Sequence, residues 1–179
     1  MKNMQSPSTF DLIRGAIGIR LVRKYRSLFN VPDIVFVKEN LAFEGITSYL
    51  ELEKKGIATI LDLRAETPEE KISNVKLRYK KIRIIDSGIP SNSQIDQIIS
   101  WIKDSLDSGE KVFVHCNLGR GRASLIIAMY LIFDGMSLEL SLNLIKKRKF
   151  TYLNQKQLDF LKNYYDIRNR EDNNGVNQD

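Results

Sequence analysis

The chain's only cysteine and only histidine are neighbours, His115 and Cys116, where the apolar run "KVFVH" meets "CNLGRGRAS". Five residues, Asn117, Leu118, Gly119, Arg120 and Gly121, separate Cys116 from Arg122, and Ala123 and Ser124 follow. A tight loop between a strand and a helix turns successive backbone N–H groups inward and makes a concavity for an anion. A helix starting near Gly121 adds the positive end of its dipole. Gly119 and Gly121 permit the backbone angles and close approach that such a loop needs. Arg122 offers a planar fork of donors matched to two phosphate oxygens. The same positive potential favours a thiolate at Cys116 over a thiol. One loop would therefore hold a phosphoryl group and activate the atom that attacks it.

Other uses of these residues fit less well. A lone cysteine is most often a small buried hydrophobe, but the Gly-x-Gly spacing, the arginine and the strand-to-helix setting favour chemistry here. A nucleotide-binding loop needs Gly-Lys-Ser/Thr after its glycines, which is missing. One histidine and one cysteine supply half of a usual zinc ligand set. No metal and no cofactor are expected.

The flanking sequence predicts the elements that position this loop. "DIVFV" (33–37) and "LAFEG" (41–45) read as a hairpin, and "SYLELEKKG" (48–56) as a helix with a glycine stop. "IATILDL" (57–63) reads as a buried strand and "LRYKKIRII" (77–85) as a strand with one wet face. After Asp86, "SGIPSNSQ" is a turn leading into a helix that carries Ile95, Ile98, Ile99, Ile102 and Leu106. Helices follow at about 121–134, 137–149 and 154–167, with Ser137 and Asn154 as caps of the last two. The alternation implies one α/β domain, a central mixed, mostly parallel sheet flanked by helices. The cysteine loop then lies at the carboxyl end of a central strand, where open α/β sheets bind ligands.

"VHCNLGRGRAS" resembles the His-Cys-x5-Arg signature of the cysteine-dependent protein tyrosine phosphatases. With "GIATILDLR" (56–64) and the chain's size, the similarity is greatest to the dual-specificity branch. The resemblance spans about residues 33–165 and implies the phosphatase-type fold and two-step phosphomonoester hydrolysis without metal. By it, Cys116 is the nucleophile that forms a phosphocysteine. Arg122 and the amides of Asn117, Leu118, Gly119, Arg120, Gly121 and Ala123 hold the phosphoryl oxygens. His115 is a supporting neighbour that hydrogen-bonds within the loop and helps keep Cys116 ionised. The family's general acid is an aspartate about thirty residues before the cysteine. Asp86 stands thirty positions before Cys116, directly after a strand, and fits better than Asp62, Asp96, Asp104 or Asp107. The sequence departs from the family at Ala123, where Ser or Thr commonly eases departure of the thiolate; Ser124 stands one residue later.

Composition bounds the rest. Apolar residues make up 42% and charged residues 28% of 179 residues, as in a globular domain. The run "LIIAMYLIF" (125–133) is far too short to span a bilayer. A single cysteine forms no internal disulfide, and arginines break the apolar part of residues 10–29, so a cytoplasmic protein without signal peptide is expected. The domain plan is an N-terminal segment (1–29) with an amphipathic basic helix over 10–29, a catalytic domain (30–168) and a disordered polar tail (169–179). The helix is read as docked on the domain with its basic face in water, the alternative being peripheral membrane contact. The net charge of +6 favours anionic partners. A phosphorylated protein is the expected substrate, a phospholipid or phosphoinositide the alternative, and nucleic acid is not expected. Arg120 and "KKRK" (146–149) could favour a multiply phosphorylated or lipid substrate or be solvated surface charge. Two other classes stay open, a phosphate-binding module with little turnover and a basic adaptor.

Overall fold

The computed structural model describes residues 34–69 and 77–175, with side chains to residue 171. The basic helix expected over residues 10–29 lies outside the described residues. In chain order the elements are β1 (Val35–Lys38), β2 (Leu41–Glu44), α1 (Tyr49–Lys54), β3 (Ile57–Arg64), β4 (Arg78–Ile84), α2 (Asn92–Asp107), β5 (Lys111–His115), α3 (Arg122–Phe133), α4 (Leu138–Arg148) and α5 (Gln155–Gly175).

The sheet order is β1-β2-β5-β3-β4, parallel throughout except for the β1–β2 hairpin. This is the mixed, mostly parallel sheet read from the alternation of elements. β5 sits at its centre, which is why the middle of "KVFVH", Val112 to Val114, is apolar on both faces: a strand covered on both sides has no wet side. Val114 and Cys116 face the larger core with α2 to α5, while Phe113 packs with Leu52 of α1 on the opposite face. α3 is buried from Arg122 to Ile132. That burial accounts for its unbroken apolar run, because a helix wrapped by the sheet and by α2, α4 and α5 has no solvent face. Among the described residues no helix is long and apolar enough to cross a membrane.

Helix starts follow the capping residues. Ser48, Ser91 and Ser137 accept from backbone N–H groups in the first turns of α1, α2 and α4. One boundary differs from the sequence reading. α5 continues past residue 168 to Gly175, into the segment read as polar tail. A salt bridge between Arg168 and Glu171, one turn apart, supports that extension without any apolar stripe.

Three parallel strands, β3, β4 and β5, end on the same edge of the sheet. Their registers pair Asp62 with His115 and Arg64 with Ile84. Whatever follows Arg64, Ile84 and His115 therefore meets at one place.

Candidate active site

The loop after β5 leaves the strand at His115 and enters α3 at Arg122, with Gly121 as the cap residue. It is shaped from outside as well as by its glycines. Cys116 N–H donates to the Glu44 carbonyl (3.4 Å), and Gly45 bridges to Leu118. At Gly119 φ is +65°, and an added Cβ would lie 2.4 Å from the backbone of Glu44 and Gly45. Only glycine fits there, on both counts. Lys149, half-buried, pairs with the buried carboxylate of Glu44 and donates to the Leu118 carbonyl (3.2 Å). This member of "KKRK" is thus a brace beneath the loop and not solvated charge.

Inside the loop, Cys116 is 3% exposed and its Sγ accepts from Gly119 N–H at 3.3 Å. The Ser124 hydroxyl donates to the Gly119 carbonyl (3.1 Å) and braces the loop from within. Ala123 is fully buried in the first turn of α3. The His115 ring stacks on Phe113, and its Nε2 lies 3.9 Å from Asp62 Oδ1. Leu118 and Arg120 form the rim. Arg120 is exposed and its guanidinium stacks over Phe150 (5.5 Å), so its charge stands at the mouth and not at the floor.

Arg122 is 1% exposed, a buried cation with a full set of partners on one edge. Nη1 donates to Glu66 Oε2 (2.8 Å), the Ile84 carbonyl (2.9 Å) and the Leu63 carbonyl (3.4 Å); Nη2 donates to Glu66 Oε1 (2.7 Å). Nε is buried with no hydrogen-bond partner among the described residues. A bidentate carboxylate of this kind fixes the plane of the guanidinium and leaves its other edge for a second oxyanion. Asp86 reaches that region too, its Oδ1 3.0 Å from Nη2, although its side chain is 80% exposed. It occupies a tight turn after β4 in which Gly88 N–H donates to the Ile85 carbonyl (2.8 Å). The fold thus brings Cys116, Arg122 and Asp86, the three residues to which the resemblance points, to one place.

Glu66 was not expected from the sequence. Besides Arg122 it accepts from the Asn117 amide, so it joins the two ends of the loop. Burial alone pushes its carboxyl up, but hydrogen bonds from Arg122 and the charges of Arg122 and Arg64 outweigh burial and hold it below the usual range. The same pairing raises Arg122 against the downward effect of its own burial. Behind Glu66 stands a buried cluster. Asp62 accepts from Arg64 (Nε and Nη2, each 2.8 Å), Tyr79 Oη (2.7 Å) and Lys81 Nζ (2.8 Å). Burial would raise Asp62, yet these donors and the nearby His115 hold it well below the carboxylate range. No group of three or more His, Cys, Asp or Glu able to hold a metal occurs among the described residues.

Arranged this way, the loop can cradle a phosphoryl group over a sulfur nucleophile with a carboxyl at its mouth. Comparison with known proteins agrees. The family described as "Tc-R-P: Polymorphic toxin system, DSP-PTPase phosphatase" matches residues 39–136. Protein tyrosine phosphatase type IVA 3 of Mus musculus is 33% identical over 136 residues, covering 72% of this chain and 76% of that protein. Probable protein tyrosine phosphatase type IVA A of Dictyostelium discoideum is 29% identical over 119 residues, 64% of this chain and 70% of that protein. Among solved structures, Tk-PTP in its active form superposes with a TM-score of 0.68 at 24% identity, covering 75% of this chain and 97% of that one. At that identity the likeness concerns the fold.

Proposed function

Starting from a chain that belongs to the dual-specificity-type phosphatases of the protein tyrosine phosphatase superfamily, and so is a cysteine-dependent phosphatase, we propose that it hydrolyses phosphate monoesters on tyrosine, serine or threonine of proteins through a phosphocysteine on Cys116. In the first step the Cys116 thiolate attacks phosphorus. The bond to the leaving oxygen breaks, and that oxygen takes its proton from the Asp86 carboxyl. In the second, water attacks the phosphocysteine, Asp86 takes up the proton, and the P–S bond breaks to return the thiolate and release inorganic phosphate. Throughout, Arg122 and the amides of residues 117–123 bind the non-bridging oxygens, which carry the charge of the transition state. His115 and Ser124 support the loop. Glu66 orients Arg122.

The observation that carries this reading is the pairing of a buried sulfur, held by Gly119 N–H at 3.3 Å, with a buried Arg122 whose Nε has no other partner among the described residues. A protein ester is favoured by the rim, where Ile85 (77% exposed), Phe150 (71%) and Tyr152 (68%) offer apolar area beside the mouth. The reading places the enzyme in the cytoplasm, where its one cysteine stays reduced, with no nucleic acid partner; residues 10–29 would supply any contact with a membrane surface.

A substrate panel tests it. Phosphotyrosine, phosphoserine and phosphothreonine peptides are compared with phosphoinositides in vesicles, by phosphate release, for wild type and Cys116→Ser. Multiple turnovers on peptides that vanish in Cys116→Ser are expected. Turnover confined to phosphoinositides would replace the protein substrate by a lipid one. A single stoichiometric capture without turnover would reduce the chain to a phosphate-binding module.

A further inference from the structure

The first turn of α5 is capped by a pair of amides where a simpler pair would serve. Gln157 N–H donates to Asn154 Oδ1 (2.9 Å), and Asn154 N–H donates to Gln157 Oε1 (3.2 Å). This reciprocal cap uses only the side-chain oxygens, and Ser or Asp with Glu would make it equally well. What amides add is a pair of donors. Here both point at the same target. Asn154 Nδ2 donates to the Ser87 carbonyl (2.9 Å) and Gln157 Nε2 to the Gly88 carbonyl (3.0 Å). These carbonyls belong to the two residues that directly follow Asp86.

The Asp86 turn needs such support. Ser87 holds φ at +61°, in the left-handed region that L side chains rarely adopt. Within the turn Gly88 N–H donates to the Ile85 carbonyl, and the Asp86 and Ile85 side chains stand largely in solvent. Gln157, by contrast, is 1% exposed. A buried amide is stabilising only when its groups are paired, and the turn completes that pairing. The same segment also touches the phosphate loop. Tyr152 N–H donates to the Arg120 carbonyl (2.9 Å), and an added Cβ on Gly121 would lie 4.0 Å from Gln157 Nε2. One short stretch thus holds the acid's turn and the anion loop relative to each other.

We propose that Asn154 and Gln157 are positioning residues that set the Asp86 carboxyl over the phosphate loop, so that the first turn of α5 controls proton delivery to the leaving oxygen. The proposal rests on the reading of Asp86 as general acid and goes beyond it. The test uses Asn154→Asp, Asn154→Ser and Gln157→Glu. Each keeps a capping oxygen and removes the donor to the turn. Asn154 is half-buried, and Asp and Ser are favoured caps, so both variants at that position should fold, as thermal unfolding would check. Asn154→Ser, being uncharged, separates lost donation from added charge.

The readout is kcat/KM across aryl and alkyl phosphates of graded leaving-group acidity, with pH profiles, in wild-type and Asp86→Asn backgrounds. General acid catalysis contributes about 10²–10⁴-fold and matters most for poor leaving groups. Misplacing the acid should slow those esters by roughly 10–100-fold and change esters of acidic phenols less than about threefold. The acid-dependent limb of the pH profile should weaken, and in the Asp86→Asn background the variants should have no further effect. An equal loss for every ester, or a loss additive to Asp86→Asn, would overturn the proposal. If wild-type turnover depends on Asp86 but ignores these amides, this inference alone fails. If Asp86→Asn itself leaves the leaving-group dependence unchanged, the reading of Asp86 fails and takes this inference with it.

Discussion

Replacing Glu66 by Gln keeps the shape of the side chain and removes the charge that fixes Arg122. Two charge-assisted hydrogen bonds now run from Nη1 and Nη2 to the carboxylate, at 2.8 and 2.7 Å, around a side chain only 15% exposed. In the variant one oxygen becomes an NH₂ group, a donor facing donors, and the other bond becomes a neutral-acceptor one. A hydrogen bond to a charged group contributes about 1.5–3 kcal/mol. The Ile84 and Leu63 carbonyls still hold Nη1, so the guanidinium tilts in place and does not leave the site. The expected loss is about 2–3 kcal/mol of transition-state binding, or roughly 30–150-fold in kcat/KM. Steady-state kinetics on an aryl phosphate would measure it, with vanadate inhibition weakening in parallel, because both depend on the same edge of Arg122. Wild-type kcat/KM and unchanged vanadate affinity in a folded Glu66→Gln protein would refute the claim that Glu66 orients the arginine.

Acid should destabilise the fold through the same carboxylates. Glu66 and Asp62 are both held below their ordinary values, so their stabilisation is present above the unfolded-state range near pH 4 and is lost as pH falls through the folded values. Urea unfolding at stepped pH would show this, with Asp62→Asn flattening the dependence. At neutral pH, Asp62→Asn should lose about 3–5 kcal/mol, because it removes the buried carboxylate to which Arg64 and Lys81 both donate; a change under about 1 kcal/mol would contradict the buried cluster. Gly119→Ala should abolish measurable turnover, since its Cβ would collide with the Glu44–Gly45 backbone at a positive φ. A Gly119→Ala enzyme within tenfold of wild type would contradict the loop geometry.

How far the sequence could be read depended on how far apart the partners lie. The Cys116–Arg122 loop is local, so its glycines, arginine and strand-to-helix setting were visible together. Asp86 came only from the family resemblance, which implies an acid about thirty residues before the cysteine, whereas the buried strand and helix runs were visible in their apolar patterns. Glu66 was hidden because no motif marks it and its partner Arg122 is 56 residues away. Only the parallel register of β3, β4 and β5 brings them together, and no periodicity encodes that register. The bracing role of Lys149 was hidden for the same reason, its partner Glu44 lying 105 residues earlier. Asn154 was visible as a cap, but its second task, holding the Ser87 carbonyl, depends on a contact 67 residues away. The length of α5 was underestimated because a polar helix end has no apolar stripe to mark it.

The central claim is that Cys116 carries the phosphoryl group between two steps. Rapid quenching of the enzyme with an aryl phosphate, followed by mass spectrometry of its peptides, tests this most directly. One phosphoryl group on the peptide containing Cys116, formed within a single turnover and absent from Cys116→Ser, is the expected result. Turnover that persists in Cys116→Ser, or a phosphoryl group trapped on any other residue, would contradict the account.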